Sequence, residues 1–160
     1  MRLARSILAL ALLAALAALA GCGGGTDEKT PDACFEGAAG FEKALAAAPG
    51  EVTIGGGTLI SECLTRNQSG GELAQVGEAM VEAATRLNGE AREDPSGQAG
   101  VELGFLLGAA KRGSEETEGI HSDLMRRLEV AAQFAPDRQP LPPEFRAAYR
   151  RGFDAGRESG

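Results

Sequence analysis

The sequence predicts an all-α fold, a compact bundle of five to six short helices. Two observations lead there. From Asp32 onward apolar residues recur every three or four positions, the period that lines one face of a helix. Clusters of Pro, Gly, Asn and Asp cut this pattern into segments of helical length. Residues 32–158 are enough for one helical domain with a single core, which at this size buries about two thirds of the surface of the unfolded chain.

Each element has its own signal. Asp32 stands as an N-cap before Cys34, Ala38, Phe41, Leu45 and Ala48, an apolar stripe that stops at Pro49 and Gly50. Residues 51–57 hold Val52 and Ile54 ahead of three glycines and read as a loop. Thr58 is placed to cap a short helix carrying Leu59, Ile60, Cys63 and Leu64, which Asn67 to Gly71 would break. Ser69 and Glu72 have the spacing of a capping box, and Leu73, Val76, Met80, Ala84 and Leu87 continue one face until Asn88 and Gly89.

Asp94 and Pro95 supply the next N-cap and N1 residue, for a helix to about Arg112 with Ala99, Leu103, Leu106, Leu107 and Ala110 on its apolar face. Ser114, followed by Glu115, Glu116 and Glu118, predicts a further helix with Ile120, Leu124, Leu128 and Ala131 on one side, ending before Pro136. After the connector Pro140, Leu141, Pro142 and Pro143, a last helix carries Phe145, Tyr149 and Phe153 at intervals of four and frays at Gly156. The 23 glycines, about twice the usual share, predict a domain of modest stability.

The N-terminus carries a different kind of signal. Arg2 and Arg5 form a positive start, and Ile7 to Ala20 is an uncharged apolar run of 14 residues, too short for a bilayer core that needs about 20. Leu19, Ala20, Gly21 and Cys22 follow, and the whole resembles a bacterial lipoprotein signal peptide with its lipobox. The resemblance covers about the first 22 residues. It implies removal of residues 1–21 as a signal peptide and acylation of Cys22, whose two or more chains, at about 0.8 kcal/mol per buried methylene, hold the protein stably on a membrane. The expected location is the outer face of the cell membrane, or the outer membrane in a cell that has two.

In that oxidising setting, with Cys22 acylated, Cys34 and Cys63 are expected to form one disulfide. It would close a loop of about 30 residues, worth about 3.5 kcal/mol in the chain-entropy treatment. Residues 22–31, CGGGTDEKTP, form a flexible leash that spans about 17 Å on average and about 35 Å at most. The folded part is thereby kept close to the bilayer.

Charge narrows the partners. Of 16 basic residues, Arg2 and Arg5 leave with the signal peptide, so 14 face 23 acidic ones and the mature chain carries a net charge of −9. Such a surface repels phosphate backbones, and no nucleic-acid partner is expected. It also repels anionic headgroups, leaving attachment to the acyl chains.

Three groups of residues are candidates for a site. Gly100, Gly104 and Gly108 let another backbone come close, either within the domain or on a partner or dimer face. Arg146, Arg150, Arg151 and Arg157 make the last helix basic; they either pair with the domain's own carboxylates or, with Arg146, Arg150 and Arg151 foremost, face an anionic headgroup or an acidic partner. The adjacent aromatic stripe reads as core.

No catalytic, metal or cofactor site is assigned. His121, the single histidine, has Ser122 and Asp123 only as sequence neighbours, which a helix turns away from it. The Glu115, Glu116 and Glu118 cluster lacks the spacing of a calcium loop and is explained by a helix N-terminus. Zinc-ligand pairs, phosphate loops and hydrolase motifs are missing, as is tryptophan for stacking on sugars. The sequence leads to a membrane-anchored, non-enzymatic module that binds or scaffolds another envelope protein, with oligomeric state open. The alternative is a carrier or sensor of a small apolar ligand held between helices.

Overall fold

A computed structural model describes residues 29–133 and 140–160. The signal peptide, Cys22, most of the leash and Pro136 lie outside the described residues. Five α-helices make up the domain: α1 (Gly37–Leu45), α2 (Gly70–Glu93), α3 (Gln98–Glu116), α4 (Ser122–Ala131) and α5 (Pro143–Ser159). Two 3-10 turns, Asp32–Phe35 and Ser61–Cys63, complete it, and among the described residues the one β-type pairing is an isolated bridge between Ile54 and Thr58.

The all-α prediction holds, and so does the disulfide. Cys34 and Cys63 are joined across a separation of 29 residues, and both are fully buried. The bond ties the two 3-10 turns together at one pole of the domain. The first segment is not one helix, however. It opens as a 3-10 turn and restarts at Gly37, whose φ of +74° lies in the left-handed region and breaks the ladder. Asp32 sits inside that first turn and caps nothing, yet Cys34, Ala38, Phe41, Leu45 and Ala48 all bury as the stripe requires.

The segment after Thr58 forms only a 3-10 turn. The backbone N–H of Leu59 donates to Glu62 Oε2 at 2.8 Å, while Ile60, Cys63 and Leu64 point inward. The capping box of α2 forms as read, with Glu72 N–H on Ser69 Oγ at 3.2 Å and Ser69 N–H on Glu72 Oε2 at 2.9 Å. That helix then continues through Asn88 and Gly89 to Glu93. Asn88 does not end it, because its amide is turned to α4, donating to the carbonyls of Ala131 at 3.0 Å and Gln133 at 3.1 Å. Burial of Ala91 beyond it outweighs the cost of about 1 kcal/mol for Gly89 in a helix.

Two further boundaries move. Asp94 closes a local turn by accepting from Ser96 N–H at 3.2 Å and Ser96 Oγ at 2.9 Å, so α3 starts at Gln98 behind Gly97. It also runs past Arg112, and Ser114 is a buried residue within it, not the cap of the next helix. The chain reverses between α3 and α4 through Glu118 and Gly119, at φ +59° and +79°. Ile120 falls in this reversal and is 51% exposed, so the apolar face of α4 is Leu124, Met125 and Leu128.

Helix α3 is the axis of the core. Of Val101 to Ala110, all but Glu102 are buried, against α2 and α1 on one side and α5 on the other. The α3–α5 crossing is the most extensive interface, and it brings backbone against backbone. A Cβ on Gly104 would lie 2.1 Å from the Tyr149 carbonyl oxygen, and one on Gly152 would lie 1.9 Å from that of Val101. Gly108 and Gly156 repeat the pattern against Phe153 and Phe105. Gly156 therefore does not fray α5; it seats it.

Candidate functional site

Because α5 seats its glycine face on α3, its aromatic side chains are set on the flank of that face. Phe145 is buried, Tyr149 and Phe153 are half-buried, and the three rings follow one another at 5.8 and 6.0 Å between centroids. With Leu141 they form the floor of an open groove of about 320 Å³, whose walls are Arg146, Arg150 and Asp154. The stripe expected to be core is thus core only at Phe145. Burial in this apolar floor, with Glu129 close by, pushes the Tyr149 phenol up to about 12, so it remains a neutral hydrogen-bond donor at physiological pH.

Arg146 and Arg150 lie one turn apart on a ridge. On its far side Pro143 and Ala147 line a second, smaller cleft of about 250 Å³. Both arginines, and Arg151, are exposed and have no carboxylate within 4.0 Å among the described residues. The expectation that they pair with the domain's own carboxylates does not hold for these three. Arg157 differs: it binds Glu115 at 2.9 and 3.0 Å and clamps α5 to α3.

Gly100, Gly104 and Gly108 meet α5 itself. Gly100 faces Phe145 and Ala148, while the other two face α5 backbone, so the stripe is covered within the chain and offers no face to a second protein.

The chain matches no protein-family model, no curated protein and no solved structure. Function must be argued from this surface and its surroundings alone.

His121 proves to be the hub of a buried polar chain that the sequence did not reveal. It is 1% exposed. The Gln68 side-chain amide donates to the Cys63 carbonyl at 2.9 Å and to Thr30 Oγ1 at 3.0 Å, which leaves its oxygen to accept from His121 Nε2–H at 3.0 Å. The other ring nitrogen, Nδ1, then accepts from Thr117 Oγ1 at 2.7 Å. Burial holds the imidazole below its ordinary value of 6.5 and keeps it neutral. Ser122 and Asp123 are exposed and Asp123 is engaged by Arg126, so neither approaches the ring. The chain joins the root of the leash, the disulfide turn and the end of α3.

The acidic cluster is likewise consumed by local pairing. Glu115 takes Lys111 and Arg157, Glu116 takes Arg112, and Glu118 takes Arg66. Among the described residues no three His, Cys, Asp or Glu side chains are grouped to hold a metal ion, and no helix is long and apolar enough to cross a membrane.

A second apolar notch of about 390 Å³ lies between α2 and α4, lined by Val81, Thr85, Arg126, Arg127, Val130 and Ala131. Val130, 68% exposed, stands at it. Arg126 is paired with Asp123, and the notch has no row of aromatic rings like that of the α5 groove.

Proposed function

We propose that this chain is an exported lipoprotein, held on the outer face of the cell membrane through acyl chains on Cys22, whose helical domain docks another envelope protein. The observation that carries the docking reading is the outer face of α5, where partly exposed aromatic rings stand beside arginines that are unpaired among the described residues, on a domain that is otherwise acidic. Aromatic and arginine side chains are the ones that contribute most when a protein surface is desolvated. A carrier of an apolar ligand would need space between helices. The α3–α5 contact is closed at backbone distance and the concavities described above open to solvent, which favours docking over storage.

The anchor is tested by feeding cells an alkyne-bearing palmitate. The wild-type protein should take the label and sediment with membranes, and Cys22→Ser should do neither. Docking is tested by crosslinking in the same cells. Label on the Cys22→Ser protein, or a wild-type protein that gives no protein adduct with crosslinkers on any face, would refute the respective half of the proposal.

A further inference from the structure

We infer that the Arg146 and Arg150 ridge, with the aromatic floor beside it, docks an acidic amphipathic helix of the partner protein. The inference rests on the docking reading above and names its surface and the chemistry of its occupant.

The first argument is charge. Arg146, Arg150 and Arg151 are exposed and unpaired among the described residues on a domain whose mature chain carries −9, so they form a local cationic field inside an acidic one. A guanidinium takes a carboxylate through two parallel hydrogen bonds, a geometry that a single rim arginine can satisfy without rearrangement. Polarity along the groove is set as well: Arg146 and Arg150 lie toward the N-terminal end of α5, while Asp154 closes the other end and Glu129 lies beside Tyr149. Glu144, exposed in the first turn, is the one carboxylate of α5 near the arginine end. An occupant would therefore place its acidic residues toward Pro143 and its apolar ones over the rings.

The second argument is shape. Tyr149 and Phe153 follow Phe145 at one-turn intervals, and the arginine ridge runs parallel to them with the same rise of about 6 Å. A helix with apolar residues at i and i+4 and carboxylates on one flank matches both rows, the usual mode by which an amphipathic helix fills a groove.

The third argument separates a protein from the bilayer itself. The C-terminal end of α5 is held at the disulfide pole, where Ser61 Oγ donates to the Gly160 carbonyl at 2.6 Å and Thr30 is bound through Gln68. The leash leaves from that pole. Arg146 lies 14 residues up the helix, about 21 Å away. With the leash rooted at that pole, the arginine end of α5 is the end farther from the anchor.

The test uses the full lipoprotein in its own cells, with a benzophenone amino acid placed at Ala147 beside the ridge, at Val130 by the second notch, or at Glu78 on the exposed side of α2. The expected result is a protein adduct from Ala147 and not from Glu78, whose crosslinked peptide maps to a segment rich in Asp and Glu with apolar residues at helical spacing. Arg146→Glu with Arg150→Glu should reduce that adduct by at least about tenfold, with the melting temperature unchanged because neither side chain has an ion-pair partner among the described residues. An adduct on a neutral or basic segment, or one indifferent to the charge reversal, overturns the inference. So does a lipid adduct, together with binding of the purified protein to phosphatidylglycerol vesicles that depends on the same arginines. Adducts from Val130 but not Ala147 overturn the inference and leave the docking function standing; no adduct from any position overturns both.

Discussion

Adding one methyl group at Gly104 should separate the two central helices, and adding the same group at Gly89 should not. At Gly104 the new Cβ would sit 2.1 Å from the Tyr149 carbonyl oxygen and 2.9 Å from the Phe153 nitrogen, both backbone atoms that have no rotamer to change. An ordinary carbon–oxygen contact is about 3.3 Å, so α3 and α5 must part by about 1 Å. A gap of that order forfeits a quarter to a half of the dispersion energy between the atoms on either side, and overpacking of this kind costs about 1–3 kcal/mol. Replacing glycine inside a helix returns up to about 1 kcal/mol. With the contact repeated at Gly108, Gly152 and Gly156, the upper part of the overpacking range applies, and Gly104→Ala should lose about 2 kcal/mol. For a domain of this size that lowers the melting temperature by about 6–10 °C. Gly89 is exposed, with nothing within 4 Å of its added Cβ, so Gly89→Ala should raise it by a few degrees. Thermal unfolding followed by circular dichroism, on oxidised protein, reads both. A Gly104→Ala protein melting at or above wild type, beside a stabilised Gly89→Ala, would refute the close-packed crossing.

Three further outcomes follow from the same structure. His121 is held below its ordinary 6.5, so the unfolded chain binds more protons than the folded one as pH falls through and below 6.5; stability is therefore full above that value and declines below it. Urea midpoints at pH 7.5 and 5.5 should show this decline in wild type and not in His121→Gln, while Glu102, whose carboxyl burial raises, acts with the opposite sign and is common to both proteins. Replacing Cys34 and Cys63 together by serine should cost about 3.5 kcal/mol by denaturation, and mass analysis of the native protein should find neither thiol free. Asn88→Ala removes two hydrogen bonds and leaves the Ala131 and Gln133 carbonyls without that donor, so it should destabilise by about 1–3 kcal/mol, seen in the same melts, with faster amide exchange at the end of α4.

Where the sequence was legible, it was through local rules. The 3–4 periodicity located the buried faces of α1, α2 and α3, and the Ser69 and Glu72 pair located one helix start to the residue. Where it failed, a tertiary contact had overridden a local preference. Asn88 looks like a stop signal and instead reaches α4; Asp94 and Pro95 look like a helix start and instead close a turn; Ser114 looks like a cap and is buried in the last turn of α3. The His121 chain joins residues 38 and 53 positions apart, and no spacing rule connects them.

The candidate site was half legible for a related reason. The arginines and the aromatic stripe are visible as a pattern, but whether a ring is core or floor depends on which face of α5 turns inward. That choice is made by the glycines. A helix with Phe145, Tyr149 and Phe153 along one side would ordinarily bury that side, since it offers the largest apolar area. Here Gly104 and Gly108 lie against the α5 backbone and Gly152 and Gly156 against the α3 backbone, and the close approach they permit lets α5 bury its Ala148, Gly152 and Gly156 face against α3. The aromatic row is displaced to the edge, with only Phe145 covered, and the arginines beside it have no carboxylate within 4.0 Å among the described residues. The property that stabilises the fold and the property that exposes the proposed docking surface thus have one origin, and the two can be separated by substitution: Gly104→Ala should impair both stability and the proposed docking, whereas charge reversal at Arg146 and Arg150 should impair docking alone.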